Sequence, residues 1–266
     1  MTTDLVTRAA DLVADDARDA SVDRVTVGDA VVLVELAGER GARAGLAHRP
    51  PGEPPTDDPD LGALLDAVTA PAESDPDRVR RALGLATLNA LSAPHVDWRT
   101  GDPMALLDPG VDAIATVGLF RPAFRKFTDV EVRVIERRST GDVAAPSGVR
   151  VRTYTPAETA TAMAGAEVVF VTGSAFVYGG VADYLAAAPD AATVVVIGAT
   201  ASFVPDPLFE AGVDVVAGAA VEDPERTRAA VRAGACGTDL HEAGVRKGFV
   251  ATDRAAGLSL DAAEYG

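Results

Sequence analysis

From residue 101 onward the chain repeats one pattern: a nearly continuous apolar run, a polar or helical crossover, then another run. Residues 111–119, 130–135, 167–172 and 193–197 are such runs, and 213–216 and 248–251 add two short ones. A strand that is apolar at consecutive positions, rather than at alternate ones, is buried on both faces, and helical crossovers are what bury it. The pattern predicts an α/β fold: a Rossmann-like C-terminal domain with a parallel sheet covered on both sides. No other reading accommodates four such runs separated by crossovers of this kind.

The first hundred residues follow a different rule. Residues 3–20 place Leu5, Val6, Ala9, Leu12, Val13 and Ala17 three and four apart, the spacing of an amphipathic helix. Two β-branched runs, 25–27 and 31–34, flank Gly28 and Asp29, the composition of a tight hairpin. A third extended segment at 42–47 leads into a Pro-, Gly- and Asp-rich stretch, 49–60, that is not regular structure. Helical patterning returns at 61–68 and at 77–91, the second after Ser74, Asp75 and Pro76, which read as cap and start. The order α-β-β-β-α-α describes a small α+β domain. Pro94, Gly101 and Pro103 mark the junction, so the expected domains are 1–97 and 98–266.

Charge narrows the partners. The 266 residues carry a formal net charge of −16, from 40 acids against 24 bases. A sequence-independent nucleic-acid binder needs a basic footprint, so no nucleic acid is expected; anionic membrane surfaces are disfavoured for the same reason. Only Lys126 and Lys247 are lysines, and most acids are Asp, with adjacent pairs at Asp15 and Asp16 and at Asp57 and Asp58. Lysine depletion beneath excess surface carboxylate resembles the halophilic proteins of salt-accumulating microbes, in which the Debye length is about 3 Å or less. Long-range steering contributes little there, and ligand capture depends on contact-range bonds. The negative charge has one local exception. Residues 118–138 hold six bases against three acids, a basic segment suited to a small anion.

Cys236 is the single cysteine, which excludes an intramolecular disulfide and a zinc site of paired thiolates. The start lacks a basic segment followed by an apolar one, and no apolar run reaches 18 residues. A soluble, cytoplasmic protein is therefore expected, and a homo-oligomer is compatible with all of this.

Five ordered segments carry a family resemblance: 81–90 (RALGLATLNA), 115–122 (ATVGLFRP), 134–137 (VIER), 166–174 (AEVVFVTGS) and 207–221 (PLFEAGVDVVAGAAV). Together they resemble the domain-of-unknown-function family 364 with its companion N-terminal domain, family 4213. The resemblance spans nearly the whole chain. It implies an enolase N-terminal-like domain joined to a Rossmann-like domain, a site in the crevice between them, and a role in heavy-metal chelation. The chain departs from the family pattern at two turns. Tyr178, Gly179 and Gly180 stand where relatives tend to carry Asn-Gly-Thr, and Gly198, Ala199, Thr200 and Ala201 stand where relatives tend to carry Gly-Pro-Ser or Gly-Pro-Thr followed by proline.

In an open α/β sheet, ligands bind beyond the carboxyl ends of the strands. The expected ligand-binding residues there are Gly118, Phe120, Arg121, Glu136, Gly173, Ser174 and Thr200, with Asn89 contributed by the N-terminal domain. Gly118 allows close backbone approach and Arg121 supplies a planar fork of donors, or else is an exposed turn residue. Glu136 closes the second strand, where an acid often accepts from a ribose; its alternative is a strand-end salt bridge. Arg137 and Arg138 would tolerate a further phosphate. The first loop lacks G-x-G-x-x-G, however, so a tight pyrophosphate approach is not encoded. Ser174 follows a strand, but without the G-x-S-x-G elbow. For metal, ligands must come from His48, His95, His241, Cys236 and the carboxylates; no two histidines share a ligand spacing, and the one soft-and-hard cluster, Cys236, Asp239, His241 and Glu242, is better explained as a polar turn leading into a short helix. A divalent metal ion is the candidate cofactor, since Asp, Glu and water can hold one with no spacing signature. Three functions follow: binding of a small molecule or metal complex in the crevice, a nucleotide-dependent oxidoreductase or transferase, or a non-catalytic interaction module.

Overall fold

A computed structural model describes residues 2–55 and 59–260; Asp57 and Asp58 lie outside the described residues. The first helical segment is two helices, α1 (Thr2–Leu12) and α2 (Ala14–Arg18), interrupted at Val13. The β-branched runs form an antiparallel sheet of β1 (Ala20–Val27), β2 (Val31–Gly38) and β3 (Arg43–His48). Its first turn falls at Gly28 and Asp29 as the sequence predicts, with the Gly28 N–H donating to the Val31 carbonyl at 2.9 Å. Two helices follow, α3 (Leu61–Thr69) and α4 (Asp75–Ser92). Ser74 caps α4: its hydroxyl accepts from the Asp77 N–H, and the Asp77 carboxylate accepts from the Ser74 N–H.

Helix α4 holds the two parts of the chain together. Every residue from Ala82 to Ser92 is buried, Thr87 and Asn89 included. A helix that is apolar all round needs neighbours on all sides. It finds β2 and β3 on one side and α3 on another, and the rest of the chain on a third. Gly45 lets β3 lie close against it, since a Cβ there would stand 2.2 Å from the Ala86 carbonyl oxygen.

The second sheet comprises β4 (Arg99–Thr100), β5 (Ala113–Val117), β6 (Glu131–Ile135), β7 (Arg150–Tyr154), β8 (Val168–Thr172), β9 (Thr193–Ile197), β10 (Val215–Val221) and β11 (Val245–Ala251). The intervening helices are α5 (Thr159–Met163), α6 (Ala175–Tyr178), α7 (Val181–Ala187), α8 (Asp206–Glu210), α9 (Pro224–Arg232) and α10 (Thr238–His241). The strand order is β4-β11-β10-β9-β8-β5-β6-β7. Strands β5 to β10 run parallel, as the apolar runs predict, whereas β11 and β4 add antiparallel at one edge. The β10–β11 pairing places Gly218 opposite Gly248. A Cβ at either would come within 2.6 Å of the Trp98 side chain, so the two glycines form the slot that this indole fills.

Both faces of the sheet are covered. Ala115, Val117, Val169 and Val171 join a core continuous with α1, β2 and α4, while Ile114, Val168, Phe170 and Phe249 join a second core on the other side. Alternate residues of one strand thus serve different cores, which is why the strands read as unbroken apolar runs. Among the described residues, no helix is long and apolar enough to cross a membrane. One expectation from charge is corrected. Asp16, read as a surface carboxylate, is buried among Arg43, Arg40 and His95.

Candidate functional site

Strand order reverses between β5 and β8: the chain leaves β5 for β6 and β7 on one side and returns to β8 on the other. The crevice beyond the carboxyl ends at such a reversal is where open α/β sheets hold ligands. A small cleft of about 70 Å³ opens there, below the roughly 300–1,000 Å³ of enclosed small-molecule sites, so a ligand seated in it extends into solvent. Its walls come from the ends of β5 and β6 (Gly118, Glu136, Arg137), from the turn after β8 (Thr172, Ser174, Tyr178) and from Tyr184 on α7.

Gly118 leaves β5 with φ of 99°, a left-handed conformation that glycine adopts without strain. The turn folds back on Thr172, whose methyl would lie 3.1 Å from a Cβ at this position. Glu136 secures this loop. Its Oε1 accepts from the Leu119 N–H at 2.9 Å and its Oε2 from the Arg137 N–H at 3.2 Å. Each oxygen thus accepts one bond from the protein and keeps a further lone pair for a ligand donor.

Arg137 supplies the cation. Its guanidinium carbon stands 3.5 Å from the centroid of the Tyr178 ring, a stacked cation–π contact. The Tyr178 hydroxyl lies 3.0 Å from Nε2 of His48, the last residue of β3. The His48 N–H in turn donates to Thr200 Oγ1 at 2.9 Å. Burial, and then the charge of Arg137, hold the His48 imidazole below its ordinary pKa of 6.5, so it is neutral at pH 7. Burial pushes the Tyr184 phenol up, against the opposing effect of Arg137, and it stays protonated. Thr172 Oγ1 and Ser174 Oγ lie 3.1 Å apart, so the serine hydroxyl is paired with another hydroxyl and not with a base. The cleft offers one cation, one carboxylate, two phenols and two hydroxyls, with the neutral His48 imidazole hydrogen-bonded to one of the phenols and not itself in the lining. It suits an oxygen-rich anionic ligand and does not form a hydrolytic triad.

Of the residues expected at the site, Gly118, Glu136 and Ser174 line the cleft. Arg121 does not: it is exposed, with Nη2 donating to the Thr140 carbonyl at 3.2 Å. Phe120 packs against the second core, and Gly173 is buried against Ala201. Asn89 and Thr200 are buried behind the cleft. The Asn89 amide donates to the carbonyls of Leu46, Ala199 and Thr200, at 2.8, 2.9 and 3.2 Å. It therefore joins β3, α4 and the turn after β9.

Tyr184 has no signal in the sequence, His48 counts there only as a possible metal ligand without a partner histidine at ligand spacing, Tyr178 only as a departure from the family pattern, and Arg137 only as tolerance for an extra phosphate. A basic residue directly after a strand-closing acid was the available signal for Arg137. No sequence spacing relates His48 to Tyr178, 130 positions away. Among the described residues, no three His, Cys, Asp or Glu side chains gather to hold a metal ion. Cys236 is exposed, and His241 Nδ1 pairs with the Val245 carbonyl at 3.1 Å.

Two family models match the chain. Residues 104–249 match the DUF364 family model and residues 10–92 the DUF4213 model, both described as "Putative heavy-metal chelation". Among solved structures, a DUF364 protein of unknown function from Pyrococcus horikoshii has 21% identity and a TM-score of 0.76, covering 93% of this chain and 100% of that one. Another, from Desulfitobacterium hafniense DCB-2, has 16% identity and a TM-score of 0.65, covering 92% and 98%. No curated protein matches the chain.

Proposed function

The chain belongs to the DUF364 family, and on that premise we propose that it binds a metal as a complex with a small anionic organic ligand, in the cleft at the carboxyl ends of β5, β6 and β8, whose walls come from the Rossmann-like domain (98–266) and not from the expected crevice with an enolase N-terminal-like domain (1–97). The observation that carries this reading is Arg137 stacked on Tyr178 at the cleft wall. A guanidinium held by a ring keeps its remaining donors for a ligand's carboxylates. The family description concerns metal chelation, yet no three His, Cys, Asp or Glu side chains among the described residues gather to hold a bare ion. A metal already wrapped by an organic acid needs no such set, because the ligand supplies most donors and the negative charge that Arg137 recognises. In concentrated salt this capture operates at contact range, where screening has least effect.

Titration calorimetry tests the reading. Metal-stripped protein in high salt is titrated with nickel and zinc as free ions and as their citrate complexes. The complexes bind and the free ions do not, and Arg137→Ala weakens the complexes by about tenfold or more, the loss of one charge-assisted contact. Equal binding of free ions and complexes, or binding of neither, overturns it. The nucleotide reading has less support, because Gly118 stands alone in its loop. NAD, NADP, S-adenosylmethionine and ATP should each leave the melting temperature unchanged.

A further inference from the structure

Glu136 and Arg137 are neighbours in sequence, carry opposite charges and line the same cleft. Along a strand, successive side chains point to opposite faces. Here β6 ends at Ile135, and the Glu136 carboxylate folds back onto the chain to accept from the Leu119 and Arg137 N–H groups. The two charges do not neutralise each other. Among the described residues, the Arg137 guanidinium lies on the Tyr178 ring and makes neither an ion pair with Glu136 nor a hydrogen bond to another protein group. The cleft therefore presents an open fork of donors next to a carboxylate with lone pairs to spare. Burial raises the Tyr184 pKa most, Arg137 then lowers it and Glu136 raises it, so both charges lie within electrostatic reach of this one phenol. The space is small. At about 70 Å³, where one water of the liquid takes about 30 Å³, the cleft seats a head group and not a whole chelator.

We propose that the cleft receives an α-amino acid head group, its carboxylate against Arg137 and its amine against Glu136, so that the organic ligand is an aminocarboxylate. This rests on the reading above and deepens it by naming the ligand class. A ligand with negative charge alone suits Arg137 but sets a like charge beside Glu136. The hydroxyl of a hydroxycarboxylate offers Glu136 one neutral donor, whereas an ammonium offers three and the opposite charge. Citrate is therefore a weaker occupant of the same cleft.

The head group keeps both contacts when it holds a metal. A primary amine bound to a metal retains two N–H bonds, and a carboxylate bound through one oxygen retains the other. The free acid and its chelate thus meet Glu136 and Arg137 in the same way. The ligand supplies the donors to the metal, and no covalent bond is made or broken.

Aspartate, malate and succinate provide the test, because they share one dicarboxylate skeleton and differ only in carrying an ammonium, a hydroxyl or neither. Each is titrated calorimetrically into the full chain in high salt, and aspartate and citrate are titrated as their nickel complexes as well. Aspartate binds at least about tenfold more tightly than succinate, the effect of one charge-assisted contact, with malate between them. Nickel aspartate binds more tightly than nickel citrate. Glu136→Gln, which keeps an oxygen for the Leu119 N–H, weakens aspartate by about tenfold and leaves succinate unchanged or tighter, because a like charge has gone; a purely structural role for Glu136 would weaken both. Arg137→Ala weakens all three acids. If the parent binds aspartate no better than succinate, if nickel citrate matches nickel aspartate, or if Glu136→Gln weakens both acids alike, the head-group proposal is overturned while binding of an anionic metal complex stands. If free aspartate binds and its nickel complex does not, the head group stands and the metal reading falls. If no acid binds in either form, both fall.

Discussion

Glu35 and Arg228 clamp the small antiparallel sheet to the Rossmann-like half through two parallel bonds, Nε to Oε2 at 2.8 Å and Nη2 to Oε1 at 2.9 Å. Glu35 lies on β2 and is buried, and Arg228 lies on α9. The fork of the guanidinium matches the carboxylate, so the pair fixes orientation as well as distance. Arg228→Ala should lower the melting temperature by about 2–4 °C, the scale expected for loss of one such contact in a chain of this size. It should also speed amide exchange in β1, β2 and α9 ahead of β8 and β9. Arg228→Lys should recover only part of the loss, because one ammonium cannot make both bonds. Full recovery by lysine would show that charge alone matters.

Asn89 performs a similar task where β3, α4 and the turn after β9 meet. Its Nδ2 faces three carbonyls from two parts of the chain. Removing the amide leaves buried acceptors without donors, each costing about 1–3 kcal/mol before relaxation. Asn89→Ala should therefore destabilise by about 2–3 kcal/mol in urea unfolding. Asn89→Asp should cost more, because it turns a carboxylate oxygen toward the same carbonyls. The expected reading of Asn89 as a ligand contact predicts the opposite pattern: lost binding with unchanged stability. The two measurements separate the roles.

These positions show where sequence reasoning succeeds and where it stops. Residues 193–197 stand out because each face of that strand meets a different core, so every position from Val194 to Ile197 is apolar. Strand β7, RVRTY, was missed because it lies at the sheet edge with Arg150, Arg152 and Thr153 exposed. Strand β4 is two residues long and offers no period at all. The carboxyl ends of the strands were legible from the alternation of runs and crossovers, and with them Gly118, Glu136 and Ser174, whereas the strand order that reverses between β5 and β8 was not. His48 was not, because its meaning depends on how β3 docks onto the turn after β9, a contact between parts that no local pattern encodes. Asp16 misled for the same reason: an acid beside another acid reads as surface until Arg40, Arg43 and His95 are folded around it.

The close fit of β3 on α4 yields a paired prediction. A Cβ at Gly45 would stand 2.2 Å from the Ala86 oxygen and 2.5 Å from the Ala90 nitrogen, both backbone atoms that cannot swing aside. Gly45→Ala should force the sheet and helix apart and cost about 1–3 kcal/mol or more. At exposed Gly62 in α3, the nearest atom to a Cβ is the Asp60 carboxylate at 3.4 Å, an ordinary contact. Gly62→Ala should be neutral or stabilising by up to about 1 kcal/mol, since alanine loses less backbone entropy in a helix. Equal effects at both positions would refute the close-packing account.

Asp16 supplies the pH dependence. Its Oδ1 accepts from Arg40 and Arg43 and its Oδ2 meets His95 Nε2, each at 2.8 Å. Burial pushes this carboxyl up, but the bond and charge of His95 and the two arginines outweigh it, leaving the carboxyl below its ordinary pKa of 3.8. A group whose pKa is depressed by folding stabilises the protein above its unfolded value and loses that contribution as pH falls through the folded value. Stability should therefore decline as pH drops below about 4, and Asp16→Asn should remove this part of the decline. At neutral pH the same substitution should cost about 3 kcal/mol, because it leaves the Arg43 guanidinium, 5% exposed, without a counter-ion. Among the described residues, Arg43 Nε and Nη2 already lack protein partners, and Asp16 is the only group satisfying the buried part of that side chain. Unfolding followed in urea from pH 7 to pH 3, for parent and Asp16→Asn, reads both effects. Parallel curves would assign the acid sensitivity to other carboxylates.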